Sequence, residues 1–207
     1  PPWSWTGATV AALVAMRLAS TPTANLSYLL LAAYALCGRA QAIQALALSW
    51  LFTMLNPGFA AEATAGSVGR YAVLLAAAAS VFLRSWKFRG IFTVRPATLA
   101  TLLLGLFFVV HSWLFSPMVD VSVFKAMSWT LVMSTLIAAW SGLTAINRDV
   151  LADQIFGGLV LLMLASLPLI WLPVGFLLNG TGFQGILSHP QAFGPAMALL
   201  GAWASSQ

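Results

Sequence analysis

The sequence predicts an all-α fold, a polytopic transmembrane helix bundle with about eight spans. Of its 207 residues, 61% are hydrophobic and 6% are charged, and the mean hydropathy is +0.94. A soluble domain carries about 25% charged residues, so this chain has too few charges to cover a surface that faces water. Runs such as LLLGLFFVV are apolar on every side and lack the alternation of a membrane β-strand. Helices that face lipid are therefore expected.

Candidate spans follow from the apolar runs, since a bilayer core requires about 20 apolar residues per helix. The clearest are Val68–Leu83, Pro96–Phe115, Val121–Leu143 and Val150–Leu172. Four are shorter: the hairpin Leu26–Gly38 and Ala40–Leu55, joined at CGRA, and the terminal segments Trp5–Leu18 and Gln191–Ser205. We predict a single transmembrane domain over residues 1–207. Because the chain starts without methionine and stops after an apolar run, we expect it to be part of a longer protein.

The basic residues predict how the chain is oriented. The connection RSWKFRGIFTVR is the strongest cytoplasmic signal. Alternation from it places six basic residues inside: Arg39, Arg84, Lys87, Arg89, Arg95 and Arg148. Three fall outside: Arg17, Arg70 and Lys125. The connections predicted to face outward are residues 19–25, 56–69, 116–120 and 173–190.

Several function classes are disfavoured. The isoelectric point is about 10.2, but the nine basic residues are spread along a hydrophobic chain, which favours topology signals over a nucleic-acid surface. There is no Walker loop, GxGxxG or HExxH, and four acidic residues offer few metal ligands. We expect no cofactor and no metal. The single cysteine, Cys37, is expected to pack within a helix.

Candidate site residues lie near the predicted outer face. Lys125, about one turn inside a span, either extends its ammonium to the interface or meets an anionic ligand in a cavity. For His111 we expect a structural hydrogen bond to a neighbouring helix. His189, beside Pro190, suits either a structural or a functional role. In SLPLIWLPVG and NGTGFQG, prolines and glycines predict a re-entrant or partly unwound segment. Its free amides and the start of the next span would suit an anion.

Two stretches resemble the O-antigen ligase and O-antigen polymerase superfamily, over roughly residues 68–205. FFVVHSWLFSPMVDVSVFKAMSWTLVMSTLIAAW is similar to the family segment in which a Trp/Ser-rich span end precedes a short outer loop and a Ser/Leu-x-x-Lys pattern. GFQGILSHPQAFGPAMALLGAWA resembles the later element, where Arg-Phe-x-Gly leads to His-Pro-Asn and a helix of small residues. This chain has Gly182 in place of that arginine and Gln191 in place of the asparagine.

The resemblance implies a multi-pass enzyme of the bacterial inner membrane that belongs to cell-surface polysaccharide biosynthesis. Such enzymes transfer glycan from an undecaprenyl-diphosphate carrier to a glycan acceptor at the periplasmic face, without metal or cofactor. It makes Lys125, Gln184, His189 and Gln191 the candidate substrate-binding residues. The family's large periplasmic loop, with its catalytic histidine, would follow Gln207, so no catalytic residue is assigned here.

Two alternatives remain open at this stage. A small-molecule transporter or channel subunit also suits broken helices and sparse charges, although the sequence has no inverted repeat. A non-catalytic membrane scaffold is the other. The expected partners are membrane lipid, the lipid-linked glycan and its acceptor, and not nucleic acid.

Overall fold

The computed structural model describes residues 3–61, 66–89, 96–177 and 179–206, and this part of the chain contains eight α-helices and no extended strand. The helices are α1 (Trp3–Ala19), α2 (Thr21–Ala35), α3 (Arg39–Met54), α4 (Gly66–Arg89), α5 (Pro96–Phe115), α6 (Val119–Ser141), α7 (Ala145–Ser166) and α8 (Pro190–Ala204). The predicted cytoplasmic residue Arg95 and the side chains of Lys87 and Arg89 lie outside the described residues.

The eight predicted segments each coincide with a helix, but four helices are long and apolar enough to cross a membrane. These stretches are Val68–Ser85, Pro96–Phe115, Val119–Ser141 and Ala145–Trp171. The helices α1, α2, α3 and α8 have 15 to 17 residues. At 1.5 Å per residue they are about 23 to 26 Å long, which is less than a hydrocarbon core of about 30 Å. The chain is thus an all-helical membrane protein with four candidate spans, and the count of eight is not confirmed.

The predicted start of the seventh span needs correction. Helix α7 begins at Ala145, five residues before the predicted Val150, so the connection NRD lies inside the helix. Polar side chains are tolerated there because a helix can extend beyond the hydrocarbon core. At the other end the candidate span runs to Trp171, one residue short of the predicted Leu172, but its α-helix stops at Ser166, since Pro168 lacks an N–H and disfavours helical backbone in the residue before it.

The chain divides into two compact units, of which the first contains the described residues of 1–31, 47–70 and 145–207. Its core is built on Tyr28, whose ring meets that of Phe52 edge-on, with centroids 6.0 Å apart. Gly69 at the start of α4 lies against Tyr28, and a Cβ at residue 69 would come within 2.7 Å of that side chain. The absence of a side chain at Gly69 therefore lets α4 pack directly on α2.

The second unit contains residues 32–46 and the described residues of 71–144. Two of its arginine side chains bind carbonyl groups at helix ends. Arg84 donates to the carbonyl oxygens of Leu36 and Cys37, both at 2.9 Å, and Arg39 donates to that of Gly142 at 3.0 Å. Arginine near a helix C-terminus satisfies carbonyls that have no partner within the helix. Arg39 and Arg84, both predicted to face the cytoplasm, therefore bind carbonyls at the ends of α6 and α2.

Candidate functional site

The candidate site belongs to the first unit and begins where α7 stops being an α-helix. After Ser166 the chain continues in two 3₁₀ turns, Leu167–Trp171 and Pro173–Gly175, each with proline in its first two positions. Gly175, in the second turn, is buried against the first, and a Cβ at this position would come within 2.2 Å of the Leu169 carbonyl oxygen. The unwound segment predicted from the prolines and glycines is present, and it is tightly folded.

The segment after the turns folds back on itself. Phe176 and Phe183 form an isolated antiparallel bridge, and Gly180 and Gly185 have φ angles of 71° and 59°. At Gly185 the requirement for glycine is also steric, since a Cβ would come within 2.4 Å of the Ser166 hydroxyl oxygen. That hydroxyl accepts a hydrogen bond from the Ile186 N–H at 3.2 Å. Ser166 therefore ties the end of α7 to the returning chain.

Asn56 joins this segment to the connection that follows α3. Its backbone N–H donates to the Ile186 carbonyl at 2.9 Å, and its side-chain Nδ2 donates to the Val174 carbonyl at 2.9 Å. Its Oδ1 accepts the N–H of Gly58 at 2.9 Å, so both polar atoms of the buried amide are paired. Asn56 was not among the residues predicted from sequence. It holds together two connections that were predicted to face outward.

Gln184 is buried inside the same segment. Its backbone N–H donates to the Gly175 carbonyl at 2.8 Å, and its side-chain Nε2 donates to those of Val174 and Phe176 at 3.3 and 3.1 Å. One residue thus binds three successive carbonyls. Its Oε1 is buried and has no partner among the described residues. In the structure Gln184 acts as an internal brace, and its predicted contact with substrate stays a prediction.

Arg17 is the buried cation of the first unit, with 6% of its surface exposed. Its Nε and one terminal nitrogen donate to the Phe52 carbonyl at 3.3 and 3.1 Å, and its other terminal nitrogen donates to the carbonyl of Ala61. Phe52 lies in the last turn of α3, where carbonyls lack partners within the helix. The guanidinium therefore fixes the end of α3 and the connection that follows it.

A groove of about 600 Å³ opens beside these braced connections, on α3, α7 and α8. Its lining residues are Trp50, Met54, Leu159, His189, Gln191, Ala192, Pro195, Ala196 and Leu199. The volume lies in the range of small-molecule sites, about 300 to 1,000 Å³. Ser188 donates its N–H to the Met54 carbonyl at 2.6 Å, which holds the start of α8 against the end of α3.

His189 and Gln191 give this groove its polar end. His189 is exposed and stands immediately before α8 in extended backbone, with φ −150° and ψ 137°, and its side chain makes no capping hydrogen bond. Gln191 is exposed on the first turn of α8. The N-terminal end of a helix also carries a partial positive charge. Two of the four predicted site residues thus line one groove, whose other walls are apolar.

Lys125 does not line this groove. It lies on α6 in the second unit, where its side chain is exposed, and its predicted contact with the carrier stays a prediction. His111 also belongs to the second unit, where its ring lies between those of Phe107 and Phe115, with centroids 5.8 and 5.0 Å away. Within the described residues, no group of three or more metal-ligating side chains is present.

Comparisons of the chain with protein-family models, with curated proteins and with solved structures found no match. The superfamily resemblance therefore rests on the quoted motifs, and membership stays a prediction.

Gly182, which stands where the family pattern has arginine, is enclosed by the start of α8. A Cβ at this position would lie 2.7 Å from Cγ of Pro190. A proline ring cannot rotate away, so any side chain here would have to displace the first residue of α8. The backbone carbonyl of Gly182 accepts the N–H of Leu177 at 3.0 Å. This part of the segment thus offers close packing and backbone groups rather than a charged side chain.

Proposed function

We propose that this chain is the membrane-embedded part of a lipid-linked glycan ligase or polymerase of the bacterial inner membrane, and that it holds an undecaprenyl-diphosphate glycan at the periplasmic face. The observation that carries the proposal is the groove of the first unit. It combines apolar walls with His189 and Gln191 at one end. The quoted sequence motifs support the same function.

The groove fits the two chemical parts of such a carrier. The polyprenyl chain is apolar and packs along Trp50, Leu159 and Leu199. These contacts replace its contacts with lipid tails, which have a similar polarity. The diphosphate is anionic and accepts hydrogen bonds from the His189 imidazole and from the side-chain amide and backbone N–H of Gln191. The hydrogen bond from the Ser188 N–H to the carbonyl of Met54 holds this end of the groove in place.

In the proposed reaction, the acceptor hydroxyl oxygen attacks the anomeric carbon of the glycan. The bond between that carbon and the carrier diphosphate breaks, and the diphosphate leaves with the electron pair. The hydroxyl proton passes to a general base. We assign the residues of this chain to binding and orientation of the carrier, and assign the base to none of them.

A small-molecule transporter or channel subunit is the second candidate. The observation that favours it is the helix break between Ser166 and Pro173, since discontinuous helices commonly form transport sites. A transporter would move a solute across liposomes that contain the protein. The glycan enzyme would instead bind a polyprenyl diphosphate without moving solutes.

Binding of a fluorescent polyprenyl diphosphate to the protein in lipid nanodiscs tests the proposal. We expect His189→Ala to weaken binding about tenfold, and Ala192→Trp, which fills the groove, to weaken it at least as much. His111→Ala is the matched control, because it removes the other histidine of the chain from the second unit. Wild-type affinity in both groove variants would refute the site, and solute flux without carrier binding would favour the transporter.

A further inference from the structure

The groove of the first unit is closed at the end opposite His189. Leu159 on α7 and Leu199 on α8 both line the groove. Trp203 lies one turn beyond Leu199 on the same face of α8, and Phe156 lies one turn from Leu159 on the same face of α7. The rings of Phe156 and Trp203 are stacked, with centroids 4.6 Å apart and planes 9° apart. No chain can pass between stacked rings, so this aromatic pair closes the gap between α7 and α8.

The distance from the polar end of the groove to the aromatic pair is short. From Gln191 to Trp203 there are twelve residues of α8, about 18 Å of helix. Three backbone bonds advance an extended chain by about 3.3 to 3.6 Å, so the four chain bonds of one isoprene unit advance it by about 4.5 to 5 Å. Three isoprene units, about 15 Å long, therefore fill the groove up to the rings.

The rest of a long carrier chain must lie outside the groove. Eleven extended isoprene units would span about 50 Å, which exceeds the whole hydrocarbon core of about 30 Å. Trp50 on α3 and Leu199 on α8 border the groove, and 42% and 53% of their surfaces are exposed. The groove is thus open on this side. A chain that reaches the aromatic pair can turn outward there among lipid tails.

We propose that the aromatic pair limits recognition of the carrier to about three isoprene units, those nearest the diphosphate. Units beyond the third contact lipid instead of protein, and they add nothing to the affinity. The inference rests on the proposed function, because it takes the groove to hold a polyprenyl diphosphate. It adds a limit on chain length, which the proposed function does not require.

Competition binding in lipid nanodiscs tests this limit. Prenyl diphosphates of two, three, four and eleven isoprene units compete with the fluorescent polyprenyl diphosphate. Each affinity is corrected for partitioning of the competitor into nanodiscs without protein. For the wild-type chain we expect the affinity to rise about fivefold from two to three units and to change less than about twofold with further units.

Substitutions in the groove should move the limit in opposite directions. Trp203→Ala and Phe156→Ala each remove one ring of the aromatic pair, so the affinity should continue to rise up to four units. Leu199→Trp fills the groove one turn nearer the diphosphate, so the affinity should stop rising at two units. Poorer folding would instead weaken all competitors by the same factor. Trp113→Ala, which removes a 70% exposed tryptophan from α5 of the second unit, is the matched control and should keep the wild-type limit.

Two results would overturn the inference and leave the proposed function intact. One is a wild-type affinity that continues to rise from three to eleven units, which is measured without any variant. The other is an unchanged limit in all three groove variants. Absence of binding at every chain length would refute the proposed function, and the inference with it.

Discussion

The side chain of Asn56 donates a hydrogen bond to the carbonyl oxygen of Val174 at 2.9 Å, between residues that are 118 positions apart in the chain. The same carbonyl accepts the Gln184 amide at 3.3 Å. Val174 lies in the second 3₁₀ turn, whose backbone bonds run from Gly175 to Leu172 and from Phe176 to Pro173 and leave the Val174 carbonyl without a backbone donor among the described residues. Two side-chain amides therefore supply the donors that the next turn of a continuous helix would have supplied.

Replacing Asn56 should destabilise this unit. Asn56→Ala leaves the Gly58 N–H without its acceptor and removes one of the Val174 donors, so we expect the free energy of unfolding to fall by about 1 to 3 kcal/mol. Thermal unfolding in detergent micelles, followed by circular dichroism, measures the change. Asn179→Ala is the control, because that exposed amide bonds only its near neighbour Thr181. Equal melting temperatures for the two variants would contradict the assignment.

Gly185 should tolerate no side chain. Gly185→Ala must place a Cβ in the left-handed region, at φ 59°, and within 2.4 Å of the Ser166 oxygen. Strain and overpacking together should cost about 2 kcal/mol or more. The comparison is Gly157→Ala in α7, where a Cβ meets nothing within 4 Å and helix propensity favours alanine. The prediction fails if both variants melt at the wild-type temperature.

The planar shape of the Arg17 guanidinium should contribute to stability in addition to its charge. Its nitrogens donate to the Phe52 and Ala61 carbonyls at the same time, whereas a lysine ammonium is a single point charge. We expect Arg17→Lys to lose about 1 to 2 kcal/mol of unfolding free energy and Arg17→Gln to lose more. Arg148→Lys, on α7, controls for the general effect of the substitution. Wild-type stability in Arg17→Lys would show that charge alone is sufficient.

The packing of α5 against α6 should depend on Gly105. A Cβ at this buried glycine would come within 2.1 Å of the Thr130 hydroxyl oxygen and 2.5 Å of its methyl carbon. Gly105→Ala should therefore cost about 1 to 3 kcal/mol in unfolding free energy. Combining it with Thr130→Ala removes both colliding atoms and should recover part of the loss, a non-additivity that a double-mutant cycle measures. Strict additivity would indicate that the helices adjust elsewhere.

The positions of the helices could be predicted from sequence because apolar runs are a local property. All eight predicted segments contain a helix. The number of membrane crossings was harder to predict. Four helices have 15 to 17 residues, a length between that of a full span and that of a shorter buried helix. The start of α7 was placed wrongly because Asn147 and Arg148 resemble loop residues although they continue a helix.

Two residues that line the groove were singled out from the sequence. His189 and Gln191 share a groove because they lie at one helix start, which sequence spacing already implies. Asn56 was missed, because Asn-Pro-Gly indicates a turn and gives no sign that the amide bonds a carbonyl 118 residues away. The predicted contact of Gln184 with substrate stays a prediction, and its bonds to Val174 and Phe176 were missed because no local pattern shows which carbonyls a side-chain amide will meet.

The distance in sequence between Asn56 and Val174 has a consequence for biosynthesis. At about 5 to 20 residues per second, translation delivers Val174 roughly 6 to 24 s after Asn56. Until Val174 has been made, the Asn56 amide lacks this acceptor. The connection that follows α3 is therefore completed only after the second 3₁₀ turn has been synthesised.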